Sequence, residues 1–176
     1  MTKLLGISGS LRKASTNTLL VQNAARIFGA DEFTRGDIDF PLYNGDVEAA
    51  EGVPVKVQTL SDQIAAADAV IIATPEYNKA ISGSLKNALD WISRTKGGPW
   101  NGKPVAIMSA TAGRAGGERA QFSLRLAMMA FRPDILQGPE VLVANSGDEF
   151  DENGQLTGET YVKQLTELMA ALKARI

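Results

Sequence analysis

Apolar residues gather in four short, uncharged runs, at 4–7, 69–73, 105–108 and 141–144, with a weaker, edge-like candidate at 33–38. Continuous rather than alternating apolar character marks strands that are covered on both faces. The stretches between them carry the helical period instead. Leu20, Ala24 and Ile27 share one face of a first helix. Val57, Leu60, Ile64 and Ala67 do so in a second, with Pro54 near its opening turn, and Leu85, Ala88, Leu89 and Ile92 in a third. A last helix over 160–174 turns Leu165, Leu168, Leu172 and Ile176 inward. The fourth, over 117–131, differs, because Phe122, Leu124, Leu126, Met128, Met129 and Phe131 are not confined to one stripe. Such a helix is either deeply buried or covered by another subunit.

Five strands alternating with five helices predict an α/β fold: a parallel sheet with right-handed crossovers and helices on both faces. Ligands of such sheets bind at the carboxyl ends of the strands. The loops after the first, third and fourth strands are therefore where a site is expected. Residues 148–158 are acidic and turn-rich, and read as an exposed loop before the last helix. The 176 residues suit one core, so a single domain over 1–176 is expected.

Composition narrows the chemistry. Hydrophobic residues make up 44% and charged residues 22% of the chain, and the formal net charge is −2. No basic stripe with interleaved aromatics is present, so nucleic acid is not an expected partner. No apolar run nears the roughly 20 residues of a membrane span. With no signal peptide at the start, a cytoplasmic protein without a membrane partner is expected. Cysteine and histidine are both absent. That removes disulfides, thiolate nucleophiles, Ser-His-Asp triads and the commonest metal ligands, and no metal site is expected. Enzymatic chemistry, if there is any, then belongs to a bound cofactor.

The first loop reads Ser8-Gly9-Ser10-Leu11-Arg12-Lys13-Ala14-Ser15-Thr16-Asn17-Thr18. Unpaired N–H groups at a helix start, a guanidinium and several hydroxyls suit a phosphate dianion. Helix capping accounts for one or two of these residues but not for Arg12. The loop lacks both the Walker spacing and G-x-G-x-x-G, since Gly6 and Gly9 lie three apart with no helix-facing glycine. A hydroxyl-rich loop around a terminal phosphate remains, as in the flavodoxin-like strand order.

After the third strand, Pro75 stiffens the exit, and Tyr77 and Asn78 stand where a planar ring would need a wall and polar contacts, or where a tight turn would need them. Leu89 and Trp91 read as packing residues; Asn87 and Asp90 suit either the helix surface or interhelical contacts. After the fourth strand, Ser109, Thr111 and Gly113, with Gly116 and Gly117, form either a flexible loop or a set of donors for a ring edge.

Gly9-Ser10-Leu11-Arg12 with Ser15 and Asn17, Pro75-Glu76-Tyr77-Asn78, and Gly83-x-Leu85-Lys86-Asn87-Ala88-x-Asp90-Trp91 resemble the NAD(P)H-dependent FMN reductase family, closest to its bacterial quinone/chromate reductase branch. The likeness runs from the first strand to the last helix. It implies a flavodoxin-like three-layer sandwich with a five-stranded sheet of order 2-1-3-4-5, and non-covalent FMN. Ser10, Arg12, Ser15, Thr16 (through its backbone N–H) and Asn17 would hold the phosphate. Pro75, Glu76, Tyr77 and Asn78 would border the ribityl chain and ring, and Ser109, Thr111 and Gly113 would approach its pyrimidine side.

The resemblance further implies ping-pong hydride transfer from NADPH or NADH to small acceptors: quinones, chromate, azo compounds or flavins. It assigns no catalytic side chain, since the chemistry lies on the flavin N5. It also implies a homodimer. Arg119 and Glu140 match a polar network that joins dimers into tetramers, but Lys79 and Phe122 replace its tyrosines, so the tetramer stays open. The alternative from another class is a flavodoxin-type electron carrier without its own NAD(P)H oxidation. Carriers are usually strongly acidic to steer their partners, and −2 is weak for that. A silent nucleotide-binding module is the third reading.

Overall fold

The computed structural model describes residues 1–176. Strands β1 (Lys3–Ser8), β2 (Glu32–Gly36), β3 (Ala69–Thr74) and β4 (Pro104–Ala110) form a parallel sheet in the order β2-β1-β3-β4. β5 (Asp134–Ile135) and β6 (Leu142–Val143) both pair with the outer edge of β4. The order 2-1-3-4-5 expected from the sequence is therefore present, with its fifth position divided in two.

Residue alternation on the buried strands feeds two cores. Leu4, Ile71, Ala73, Ala106 and Met108 face α1 (Thr16–Phe28) and α6 (Glu159–Lys173). Leu5, Ile7, Val70, Ile72, Val105 and Ile107 face α3 (Val55–Ala66), α4 (Gly83–Ile92) and α5 (Glu118–Met128). This gives the three layers, with each strand buried on both sides as its uninterrupted apolar run requires. Gly6 sets the spacing on the first face: a Cβ there would lie 2.5 Å from Val21 Cγ1 and 2.8 Å from the Phe33 ring. Its absence lets α1 approach β1 closely.

Four expectations need correction. The run at 141–144 is a strand only over Leu142–Val143, because the chain leaves the sheet after Ile135 and rejoins it later. Side chains of α5 serve carbonyls around this gap: Arg125 donates to Leu136 O at 2.9 Å and Gln121 to Val141 O at 2.9 Å. The fourth helix ends at Met128, passes through a 3-10 turn at Met129–Phe131 and stops at Arg132 (φ 54°). Ile176 is exposed rather than inward, lying past the end of α6. The 148–158 segment is anchored, since Asn23 on α1 donates to Gly154 O and accepts from Leu156 N, and Leu156 is buried.

One helix has no apolar stripe to announce it. α2 (Gly45–Glu51) buries none of its residues. Polar contacts hold it instead: Glu48 accepts from Tyr43 Oη at 2.8 Å and from Arg94 Nε at 2.9 and 3.0 Å. Leu89 and Trp91 are core residues as expected. Asn87 joins elements, donating to Pro41 O and accepting from Tyr43 N, whereas Asp90 stays on the surface and pairs with Lys86.

Candidate functional site

A cleft of about 410 Å³ opens at the carboxyl ends of β1, β3 and β4, a size usual for small-ligand sites. The three loops foreseen from the sequence meet there. Ser10, Arg12, Ser15, Thr16 and Asn17 come from the first, Pro75, Glu76 and Tyr77 from the second, and Thr111 from the third.

The first loop is rich in unpaired donors. Ser15 caps α1, its hydroxyl accepting from Thr18 N at 3.4 Å. Ser10 Oγ accepts from Arg12 N at 3.3 Å and folds the turn back on itself. The backbone N–H groups of Lys13, Ala14, Ser15, Thr16 and Asn17 have no acceptor within the protein. The Arg12 guanidinium is exposed and has no carboxylate partner. Unpaired amides leading into and opening α1, beside a free guanidinium, are the kind of donor set a phosphate dianion uses.

Two of the predicted residues act differently from simple ligands. The Asn17 side chain is buried and fully engaged, donating to Ala110 O at 2.8 Å and accepting from Ala110 N at 3.0 Å. Its backbone N–H, by contrast, has no acceptor within the protein. Thr16 Oγ1 lies 3.1 Å from Ser146 Oγ, which ties α1 to the segment after β6.

In the second loop, Tyr77 and Ala80 exchange both backbone hydrogen bonds at 3.0 Å around Asn78 (φ 49°) and Lys79 (φ 66°). Two positive φ angles make this a type I′ turn, which explains Asn78 and leaves Lys79 in an unfavourable conformation. Asn78 itself is exposed and does not line the cleft. Tyr77 lines it with more than half its surface open. Glu76 reaches across to α5, accepting from Ala120 N at 3.1 Å.

In the third loop, Thr111 lines the cleft, while Ser109 and Gly113 do not. Ser109 is fully buried and donates to Gly116 O at 2.6 Å while accepting from Gln121 Nε2 at 2.9 Å. It shapes the turn into α5. That turn requires glycine: Gly117 has φ +93°, and a Cβ there would lie 2.7 Å from Ser109 Cβ. Gly113 is exposed at the tip of the loop. Sequence reasoning missed Ser146 and Gly147 beyond β6, which complete the cleft wall. The split fifth strand hid them, because its carboxyl end gave no clear signal.

A family model described as NADPH-dependent FMN reductase matches residues 2–148. The chain belongs to that family. An NAD(P)H-dependent FMN reductase of Pseudomonas aeruginosa is 42% identical over 97% of this chain and 93% of its own length. A quinone reductase of Escherichia coli is 35% identical over 96% of this chain and 92% of its own length. Among solved structures, the flavoenzyme NAD(P)H:(acceptor) oxidoreductase FerB of Paracoccus denitrificans superposes with a TM-score of 0.87 at 31% identity, covering 99% of this chain and 96% of that one. The unpartnered amides of the first loop and the free Arg12 are a donor set that suits the phosphate of FMN.

Proposed function

We propose that the protein oxidises NAD(P)H and reduces quinones or similar small acceptors, using FMN held non-covalently in the cleft at the ends of β1, β3 and β4. The observation that carries this reading is the set of free N–H groups from Lys13 to Asn17 beside Arg12. When bound, FMN would supply the two-electron redox chemistry that links nicotinamide oxidation to acceptor reduction.

Each part of the chain has a distinct duty. Arg12, the Ser10 and Ser15 hydroxyls and the helix-start amides hold the phosphate. Asn17 and Glu76 fix the loops on either side of the ring. Tyr77 and Thr111 border the ring, with the donors of the β4–α5 turn placed by Ser109 and Gly117. No side chain with acid–base chemistry near neutrality is needed, consistent with a chain that has no histidine or cysteine. One cleft serves both substrates, so they bind in turn with ping-pong kinetics.

Two copies pair across the outer face of α5 and the 3-10 turn after it, where Phe122, Leu126 and Met129 leave 56%, 71% and 69% of their surfaces open. Apolar side chains adjacent on one face to this extent mark an interaction surface. No helix is long and apolar enough to cross a membrane.

The test is the visible spectrum of the purified protein, recorded before and after anaerobic NADPH and again after menadione. Flavin bands that bleach and return establish the cycle. Bands that persist with NADPH favour the electron carrier, and a colourless protein that takes up no added FMN overturns the reading.

A further inference from the structure

The chain beyond β6 adds a further wall to the cleft, where Ser146 and Gly147 stand with Thr16 and Thr111 among the lining residues. None of the duties assigned above falls to that wall. It is nevertheless firmly placed. Ser146 N donates to Thr111 O at 3.0 Å, and Ser146 Oγ lies 3.1 Å from Thr16 Oγ1 at the start of α1. Further along the same segment, Asn23 of α1 donates to Gly154 O and accepts from Leu156 N. The segment is thus anchored to α1 at two points and to the loop after β4 at a third.

The hydrogens of the hydroxyl pair do not all find a use. Each hydroxyl carries one hydrogen and two lone pairs. A single bond joins Thr16 Oγ1 to Ser146 Oγ, so one hydrogen is taken and the other is left over. Neither oxygen has a further partner within the protein. Ser146 is 4% exposed and Thr16 is half-buried, and the open space that both border is the cleft. Beside them the Gly147 N–H has no acceptor either.

Position decides which group they meet. In the FMN reading, Thr16 belongs to the amides that hold the phosphate, and Thr111, bonded to Ser146, borders the ring. The part of FMN between phosphate and ring is the ribityl chain, whose hydroxyls both donate and accept. A pair that offers one hydrogen and several lone pairs matches such a group. The phosphate only accepts, and the amides from Lys13 to Asn17 with Arg12 already supply its donors.

We propose that Thr16 Oγ1, Ser146 Oγ and the Gly147 N–H form a binding wall for the ribityl hydroxyls. The proposal rests on the FMN reading and deepens it, giving the segment after β6 a direct part in holding the cofactor.

The test combines Thr16→Val with Ser146→Ala, which removes both hydroxyls at nearly constant shape. Taking away both partners of a bond is close to neutral for stability. Fluorescence titration of the apoprotein then compares FMN, riboflavin, which lacks the phosphate, and lumiflavin, which lacks the ribityl chain. The double variant should bind FMN and riboflavin each about fivefold more weakly, as for one neutral hydrogen bond, and lumiflavin as the wild type does. Exchange of the Gly147 amide hydrogen should slow when FMN binds the wild type. Unchanged FMN affinity in the double variant overturns the proposal. An equal loss for lumiflavin does so too, because the hydroxyls would then act only by aligning the loops. A loss confined to FMN moves them to the phosphate and is equally fatal, as is Gly147 exchange that FMN leaves just as fast. A wild type that takes up no FMN refutes the cofactor reading itself.

Discussion

The Asn17 side chain grips both backbone groups of Ala110, donating to its carbonyl at 2.8 Å and accepting from its N–H at 3.0 Å. One carboxamide thereby joins the start of α1 to the end of β4, and so aligns the phosphate loop with the loop beyond β4. The two residues are 93 apart in sequence. Both bonds are buried, so neither partner can turn to water instead.

Asn17→Asp tests this link with almost no change in shape. The carboxylate still accepts from Ala110 N, but it faces Ala110 O without a proton to donate. A buried carbonyl left without a donor costs about 2 kcal/mol. Urea unfolding of the apoprotein should show that loss, with the slope unchanged. FMN affinity should fall as well, through misalignment of the loops. Wild-type stability in the variant would refute the linking role.

Arg12 has the opposite character: its side chain is exposed, makes no hydrogen bond or salt bridge within the protein, and lines the cleft. Arg12→Ala should leave the fold as stable as before and weaken FMN binding by about 2 kcal/mol, the worth of a charge-assisted pair. Fluorescence titration of the apoprotein with FMN measures it. An unchanged dissociation constant removes Arg12 from the phosphate site.

These two residues also show how far the sequence could be read. The buried strands were legible because continuous apolar runs have few alternatives in a parallel sheet. The loops were legible because Arg12, the hydroxyls and the glycines sit at fixed offsets from those strands. The division of labour inside a loop was not, since a buried Asn bonded to Ala110 and a solvent-facing Asn look alike in sequence. α2 left no trace because its stability comes from the Tyr43–Glu48–Arg94 cluster rather than from an apolar face. The broken fifth strand was equally hidden, its pairing depending on Gln121 and Arg125 of a helix that precedes it.

Glu76 supplies what α5 lacks locally. The residue before that helix is Gly117, which has no side chain to cap it, and the Glu76 carboxylate accepts from Ala120 N at 3.1 Å. Glu76→Ala should therefore cost about 1 kcal/mol, as loss of a helix cap does. Glu76→Gln keeps an acceptor and loses only the favourable charge at a helix N-terminus, worth about 0.5 kcal/mol. Denaturation midpoints of the two variants should rank in that order, and a Gln variant as unstable as the Ala variant would argue against capping.

The attachment of α2 should depend on pH. The hydrogen bond from Tyr43 and then the pairing with Arg94 hold the Glu48 carboxyl below the usual carboxylate range. A depressed folded value means that the stabilisation is complete above the unfolded value, about 4.3, and is lost as pH falls through the lower, folded one. The Tyr43 ring meets Trp91 edge-on at 5.1 Å, so tryptophan fluorescence should report detachment in acid. Glu48→Gln should remove that acid transition while leaving the rest of acid unfolding in place. An identical transition in the variant would place its origin elsewhere.

The apolar face of α5 makes the last prediction. Leu124 and Met128 on the inner side are fully buried, whereas Phe122, Leu126 and Met129 stay open. A helix apolar on its outer side as well is unusual unless something covers it, and a second copy presenting the same stripe is self-complementary under two-fold symmetry. Leu126→Glu places a charge at the centre of that stripe without touching the core. Each copy would bring one carboxylate into an apolar contact, where burial without a partner is strongly unfavourable. Sedimentation equilibrium should find a dimer for the wild type and a monomer for Leu126→Glu, with FMN still bound. A monomeric wild type, or a variant that dimerises equally well, would show that the pairing surface lies on another face.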